Sequence, residues 1–379
     1  MATKHLTARP LEWIWQQAEW PNFTWDESAL SARLAAARRA QGELTGMAKL
    51  LDPQLDLAAQ LEVLTIEGLS TSAIEGETFD PNMLRSSIAR HLGLPTAGLP
   101  ARTRSVDGLV EVLLDASARY SEPLTLERLC AWQGALFPSG RSGLHAIRTG
   151  KLRGAAPMRI VSGPVGRERV HYEAPPHTRL SGEMRRFLKW FNAPPGGLDG
   201  LLRAALAHGW FELLHPFEDG NGRVGRAVAD MALAQDEGRS VRLYSLSQTL
   251  MANRDEYYAQ LELLSKDGLD VTPWLAWFTA QVEAAARASE DTFGHVLQKA
   301  RFWVLHAHTT LNERQRKALN RMLDAGPGGF EGGMTNRKYA SLTKSSTATA
   351  QRDLAELVAK QCLALAGGGR SARYELVIV

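Results

Sequence analysis

Cysteine is nearly absent. Cys130 and Cys362 are the only two in 379 residues, far apart and without partners at metal-binding spacing. That excludes a disulfide framework and a Cys/His zinc site, and fits a reducing cytoplasm. An excess of one charge is missing too. With 44 Lys and Arg against 41 Asp and Glu the net charge is +3, so the molecule as a whole is no polyanion binder. A nucleic-acid role would need a local basic patch. No run of about 18 apolar residues occurs, so no membrane span is expected. The opening MATKHLTARPLEWIWQQAEW lacks both an apolar run and a small-residue cleavage site. No signal peptide is read there, and a cytoplasmic location is expected.

What is present is an ordinary globular balance, 44% hydrophobic and 22% charged, enough for a sizeable core and two or three domains at roughly 100–200 residues each. Helical apolar spacing dominates residues 28–64, 83–91, 106–118 and 124–137. Punctuation falls at Asp52-Pro53, Leu94-Pro95, Leu99-Pro100 and Pro138-Ser139-Gly140. Residues 158–172 differ: two short β-prone runs, 158–162 and 169–172, flank a Gly/Pro-containing turn and predict a hairpin. Helical patterns resume at 180–192. Residues 201–214, LLRAALAHGWFELL, are apolar almost all round, as befits a helix in the middle of a domain. Pro216 stops that helix at His215. Further helices are expected over 222–235, 253–265 and 272–289. Beyond them, helical stretches at 312–325, 336–342 and 346–361 precede two β-prone runs around Gly367-Gly368-Gly369-Arg370-Ser371. That order is expected of a winged helix-turn-helix.

The chemistry concentrates in His215-Pro216-Phe217-Glu218-Asp219-Gly220-Asn221-Gly222-Arg223-Val224-Gly225-Arg226. A buried helix delivers His215, a side chain that titrates near neutrality and can take a proton from an attacking hydroxyl. Gly220 and Gly222 let the backbone turn tightly and approach a ligand closely. Backbone N–H groups there, followed by a helix N-terminus, make an anion nest. Arg223 and Arg226, three apart, share one helix face beside it, and two guanidiniums at a nest suit a polyphosphate. Asp219 is placed to hold Mg²⁺, which takes one or two carboxylates plus phosphate oxygens. A histidine before proline, or a lone Gly-Asn-Gly, is ordinarily a helix end or a turn. Their joint occurrence with a carboxylate and two arginines within twelve residues has no plain packing account.

This segment resembles the signature of Fic-domain proteins, His-Pro-Phe-x-(Asp/Glu)-Gly-Asn-Gly-Arg-x-x-Arg, and matches it at every defined position. The resemblance extends over roughly residues 61–289. It implies an all-α fold, a Fic-type helical core with a small β-hairpin flap, joined here to the C-terminal winged helix-turn-helix. It also implies a nucleotidyltransferase that moves AMP from ATP to a Ser, Thr or Tyr hydroxyl of a protein. Carried over by position, His215 is the general base, Phe217 packs the loop and Asp219 holds Mg²⁺. Gly220, Asn221, Gly222 and Arg223 contact the phosphates, and Arg226 meets the γ-phosphate. The 158–172 hairpin resembles the family's flap, with Ile160, Val161, Ser162 and Gly163 as its ligand-side edge, a place for main-chain pairing with a target peptide. It is longer and more basic than a short flap, with Arg159, Arg167 and Arg169. Tyr257 and Tyr258 resemble a segment beside the adenine.

Thr71-Ser72-Ala73-Ile74-Glu75-Gly76 resembles the family's inhibitory motif, (Ser/Thr)-x-x-x-Glu-(Gly/Asn), placed N-terminal to the core. The bland reading is a solvated carboxylate before a C-cap glycine. The resemblance implies that Glu75 pairs with Arg226 and occupies the γ-phosphate position, with Thr71 steadying the same helix face; the reverse reaction, removal of AMP, is open to the same chemistry. Three parts are expected: an N-terminal extension (1–60) with an aromatic anchor of Trp13, Trp15, Trp20, Phe23 and Trp25; a catalytic domain (61–290); and the winged-helix-like unit (291–379). In that last unit Thr347, Thr349, Gln351 and Arg352 could enter a major groove, and Lys338, Lys344, Arg370 and Arg373 could touch phosphates. DNA contact and protein contact through 312–379 stand equally, so a DNA-binding regulator whose core uses nucleotide is the alternative function. A homodimer and self-modification are also expected.

Overall fold

The structure, a computed structural model, describes residues 13–49, 53–94, 103–164, 166–240, 242–266, 268–306, 309–323, 325, 330–367 and 373–377. It is mostly helical, with fourteen α-helices and three two-stranded antiparallel hairpins among the described residues. Two compact units emerge: Met1–Thr45 with Gln60–Arg287, and Gly46–Ala59 with Ala288–Val379. The boundary expected at residue 60 therefore falls inside a helix. Pro53 opens α2 (Pro53–Ile74), which follows α1 (Glu27–Ala48), as proline permits at a helix start; Asp52 lies outside the described residues. Chain beyond 287 continues within α11 (Thr272–Leu305), longer than the expected 272–289. No helix among the described residues is long and apolar enough to cross a membrane.

The first unit is built around α7 (Gly200–Leu214), in which every residue from Leu201 to Leu214 is buried. A helix apolar on all sides has no face to give to water, so others must enclose it. α8 (Asn221–Glu237) packs along it most extensively. Around this pair lie α3 (Pro81–His91), α4 (Arg104–Ala118), α5 (Leu126–Leu136), α6 (His177–Asn192), α9 (Leu246–Ala252) and α10 (Arg254–Leu264). The aromatic anchor packs as expected, and so belongs to this unit. Trp20 meets the edge of Trp210 and donates to Glu183 at 3.1 Å, and the Trp15 indole donates to the Glu173 carbonyl at 2.7 Å. Two hairpins complete the unit: the short β1 (Arg141–Ser142) with β2 (His145–Ala146), which the composition did not suggest, and β3 (Arg159–Ser162) with β4 (Arg169–Glu173).

The second unit holds α12 (Glu313–Leu323), α13 (Asn336–Thr343), α14 (Thr347–Ala359) and the hairpin of β5 (Leu363–Ala366) with β6 (Arg373–Leu376). Leu319, Met334, Tyr339, Leu354 and Leu357 form its core. Ser346 caps α14 by accepting from the Thr349 N–H at 3.2 Å. Thr347, Gln351, Arg352 and Lys344 are exposed. The ammonium of Lys338, however, is held by the carbonyls of Glu331 and Gly333, and Arg373 pairs with Glu375 at 2.7 Å. Arg370 lies outside the described residues.

Candidate active site

His215 caps α7 in the left-handed region (φ 43°), where a non-glycine residue is uncommon. Pro216 forces the chain out of the helix there, and two interactions fix the corner. The His215 N–H donates to Phe211 O at 3.1 Å. Arg153, almost wholly buried, donates from Nε to the His215 carbonyl at 2.8 Å and from Nη2 to the Pro175 carbonyl at 2.5 Å, while its own N–H reaches the Pro216 carbonyl at 2.9 Å. The imidazole Nδ1 lies 3.3 Å from the Glu212 carbonyl. A carbonyl only accepts, so Nδ1 carries the hydrogen and Nε2 keeps the lone pair, the tautomer a base requires. Burial pushes the His215 pKa down to about 4, with the Arg153 charge adding to it, although 18% of the side chain still reaches solvent. The ring is thus neutral at physiological pH. Glu212, three residues earlier, is also buried, and that pushes its carboxyl up to about 8 against the pull of Arg226.

Between His215 and α8 the chain makes a loop that clasps itself. Asn221 Oδ1 accepts from the Phe217 N–H and its Nδ2 donates to the Phe217 carbonyl, both at 2.9 Å. Phe217 packs in the core, as expected. The Asn221 side chain is therefore spent on the loop, and only its backbone N–H remains for a phosphate. Gly220 precedes α8 as its N-cap at φ 86°, a conformation glycine adopts without strain. At Gly222 a Cβ would overlap the Glu75 carboxylate. Asp219 is held by the Ser142 hydroxyl at one oxygen and by the Gly220 N–H at the other (2.5 Å), and its carbonyl takes Gln133 Nε2 at 3.3 Å.

Both arginines of the loop are paired with carboxylates from the end of α2. Arg226, almost wholly buried, donates to Glu75 Oε1 at 2.7 Å, to Thr71 Oγ1 at 2.7 Å and to the Thr71 carbonyl at 2.9 Å. Arg223 donates to Glu77 Oε2 at 2.7 Å and lies over the Phe137 ring. Burial alone would raise the Glu75 carboxyl; the charges of Arg226 first and Arg223 next outweigh it and hold the group below its ordinary value. Gly76 (φ 78°) turns the chain between the two acids. The α2 terminus is fastened from α10, where Arg254 Nε and the Tyr258 hydroxyl both donate to the Ile74 carbonyl, at 2.9 and 3.2 Å.

The hairpin at 158–172 forms with every residue of β3 on the exposed side, Ile160, Val161 and Ser162 included, and Gly163 following at φ 100°. Its root is fixed by Tyr172, whose hydroxyl donates to Leu213 O at 2.5 Å, two residues before His215. Tyr257 and Tyr258, expected beside the adenine, differ in their surroundings. Tyr257 is 1% exposed, hydrogen-bonded to His208 at 2.8 Å and stacked on Trp277. Tyr258 remains partly exposed but gives its hydroxyl to Ile74. Sequence reasoning missed Arg153, Ser142, Gln133 and Glu77. The first three come from segments remote from the loop and carry no local signal. Glu77 could have been found, being the next carboxylate beyond Gly76.

Among the described residues no three His, Cys, Asp or Glu side chains converge on a metal-binding point. A divalent ion would need oxygens from its ligand beside Asp219, which is the habit of Mg²⁺ at phosphates.

Residues 123–233 match the family model of the Fic/DOC family, and residues 13–94 match a domain of unknown function (DUF4172). Among solved structures, a Fic family protein from Desulfovibrio desulfuricans G20 is similar over 94% of this chain and 98% of its own, at 18% identity and a TM-score of 0.55. A Fic domain containing signaling protein from Bacteroides thetaiotaomicron VPI-5482 is similar over 69% of this chain and 97% of its own, at 17% identity and a TM-score of 0.51. At such identities the likeness speaks for the fold. The family model places a Fic domain at residues 123–233, and the fold of the chain agrees with it. Proteins of that family are typically transferases with a nucleotide substrate.

Proposed function

We propose that this chain is a protein adenylyltransferase, moving AMP from ATP to a Ser, Thr or Tyr hydroxyl of a protein, itself included, and that Glu75 holds it nearly silent. The observation carrying the reading is that both arginines at the α8 N-terminus face carboxylates, Arg226–Glu75 and Arg223–Glu77, each at 2.7 Å. Two guanidiniums beside a glycine nest suit the oxygens of a polyphosphate, and a carboxylate is the nearest thing to a phosphate oxygen a protein can put there.

The chemistry follows from the geometry. The acceptor oxygen attacks the α-phosphorus while its proton passes to His215 Nε2; the bond between the α-phosphorus and the bridging oxygen breaks, and pyrophosphate leaves with the electron pair. The Glu212 carbonyl keeps Nδ1 protonated, so the imidazole receives the proton on the correct nitrogen. Arg153 and the Asn221 clasp fix the loop, as positioned catalysis requires. Backbone N–H groups of the nest, with Arg223 and Arg226, take the phosphate charge. Asp219 would hold Mg²⁺, which adds positive charge at the phosphate oxygens.

The competing reading, a DNA-binding regulator, needs free cations on the second unit. Two of its four candidates, Lys338 and Arg373, have local partners, which favours the enzyme.

The deciding assay uses ATP labelled at the α-phosphate, with purified protein alone and with lysate. Glu75→Gly should incorporate at least tenfold more label than wild type, and Glu75→Gly with His215→Ala should incorporate about 10²–10⁴-fold less than Glu75→Gly alone. Equal incorporation by all three folded proteins would defeat the reading. Label that follows UTP or GTP in place of ATP would move the donor, not the site.

A further inference from the structure

One buried acid beside the loop takes no part in the transfer steps above. Glu212 lies on α7, one turn before His215, with its side chain only 10% exposed. Its Oε2 is 4.0 Å from His215 Nδ1, and its Oε1 has no hydrogen-bond partner among the described residues. An ionised carboxyl without partners away from water is costly, so such an acid keeps its proton. Burial pushes the Glu212 carboxyl up to about 8 for this reason.

A glycine makes room for this acid. Gly225 stands inside α8, where glycine is a poorer helix former than alanine. A Cβ there would overlap Glu212 Oε1 and meet the Phe211 ring at 3.2 Å. Gly222, three residues earlier, does the same for Glu75: a Cβ there would overlap Glu75 Oε1 and stand 3.0 Å from Arg226 Nη1. Residues at this spacing share a helix face. Two carboxylates, one from α2 and one from α7, therefore come against the face of α8 that carries Arg226. That guanidinium draws the proton off Glu212, while ionised Glu75 keeps it on. The other titratable groups around Glu212 hold one state near neutral pH. Tyr257 from α10 and His208, one turn back on α7, are buried, neutral and hydrogen-bonded to each other at 2.8 Å. His215 is neutral above about pH 4.

Resting on the adenylyl-transfer reading with Glu75 as its brake, we propose that Glu212 is the reserve counter-ion of Arg226: a positioning residue, protonated while Glu75 or a γ-phosphate sits on the guanidinium and ionised while neither does. One buried guanidinium balances one anion. With Glu75 in place a second carboxylate would leave a net negative charge, and Glu212 stays neutral. When Glu75 leaves, Glu212 gives its proton to solvent and holds Arg226 beside the nest. When a γ-phosphate arrives, Glu212 takes a proton back and frees the guanidinium for the phosphate. Nucleotide binding to the released enzyme is then proton-coupled, and rising pH sets Glu212 against the γ-phosphate.

The test measures protons taken up when nucleotide binds the full chain carrying Glu75→Gly, by calorimetry at pH 8 in buffers of different ionisation enthalpy. The ligand, with Mg²⁺, is an ATP analogue carrying a methylene between the α- and β-phosphorus, which binds without transfer; ADP is the comparison. At pH 8 phosphate groups, with a second pKa of about 6, are already ionised, and His215 is neutral, so neither supplies the signal. Uptake of about half to one proton is expected with the triphosphate, and much less with ADP, which brings no γ-phosphate. Kd for the triphosphate should weaken by up to about tenfold from pH 8 to 9. Adding Glu212→Gln should abolish the uptake and flatten that pH dependence, changes that a purely structural role would not produce. Should that variant not fold, the pH dependence of Glu75→Gly with triphosphate against ADP decides. Uptake that is absent, equal with ADP, or undiminished by Glu212→Gln overturns the proposal and leaves the transfer reading to its own label assay. A folded Glu75→Gly protein that binds neither nucleotide overturns both.

Discussion

Arg226 Nη2 donates to Glu75 Oε1 at 2.7 Å, and that same oxygen occupies the space a side chain on Gly222 would need. The Glu75 carboxylate therefore lies against the backbone of the nest as well as on the arginine. A γ-phosphate seeking both must displace it. The linkage gives a measurable consequence. Glu75→Gly alone should lower the melting temperature, since Arg226 is buried and loses its counter-ion. The loss should fall well below the about 3–5 kcal/mol of a fully buried pair, because Thr71 still accepts twice from Arg226 and 29% of the Glu75 side chain is exposed. Saturating ATP with Mg²⁺ should then restore more than the loss, about 2–3 kcal/mol at a hundred times Kd, and should stabilise wild type much less. Equal ATP-induced shifts in the two proteins would show that Glu75 does not compete with nucleotide.

Arg153 reaches into the same corner from a loop more than sixty residues upstream, holding the His215 and Pro175 carbonyls together. Removing it frees the backbone of the base and leaves the phosphate site intact. In a Glu75→Gly background, Arg153→Met should lower kcat by about 10–10²-fold, the order expected of a misplaced reacting group, with KM for ATP changed less than threefold. Arg153→Lys should not rescue, because one ammonium cannot reproduce two fixed N–H directions. A loss carried wholly in KM would assign Arg153 to nucleotide binding.

The segments that could be read from the sequence were those in which one physical signal ruled. α7 is apolar on every side, and Pro216 ends it at one residue; the loop to Arg226 compresses base, carboxylate, nest and arginines into twelve positions. The 158–172 hairpin showed through its turn residues. What escaped depends on contacts across the fold. Ser142 and Gln133 meet Asp219 only because β1 and α5 are brought to the loop. Tyr257 and Tyr258 are adjacent in sequence, yet one is turned into the Trp277 stack and the other outward, a difference helix periodicity permits but a tandem pair does not announce. The helix α9 went unread because its seven residues span two turns, too few for a periodicity to be seen.

The pH dependence follows from His215. Its folded pKa is about 4 against an ordinary value of 6.5, because of burial first and the Arg153 charge second. Between those values the unfolded chain binds the proton and the folded chain does not, so stability from this residue is complete above about pH 6.5 and is lost as pH falls toward 4. The unfolding free energy of wild type minus that of His215→Gln should therefore shrink on acidification; buried His208, lowered to about 3, is common to both and cancels. For turnover, the acid limb of kcat/KM should lie nearer pH 4 than 6.5, and the limb of kcat somewhat higher, since bound phosphates favour the imidazolium. A kcat/KM limb at 6.5 would mean that His215 titrates as an unburied histidine, or is not the base.

Glu77 tells apart the two ion pairs of the proposed brake. It pairs with Arg223 at the same 2.7 Å that Glu75 keeps from Arg226, but its side chain is 42% exposed, so water and salt screen it and its hold is weak. Arg223 also has a second restraint that Glu77 does not supply, the face of Phe137 beneath it, worth about 0.5–2 kcal/mol as a cation–π contact. Glu77→Ala should thus leave Arg223 in place and raise AMP incorporation by no more than about twofold, within the range of a surface ion pair. Added to Glu75→Gly it should tighten ATP by about three- to tenfold, because a guanidinium already oriented by Phe137 then has the phosphate as its only anionic partner. Raising salt from 50 to 300 mM should mimic Glu77→Ala in wild type and leave the Glu75 brake largely on. Should Glu77→Ala release as much activity as Glu75→Gly, inhibition would rest on the charge of the whole α2 terminus, and the pairing of Glu75 with Arg226 would not be its cause.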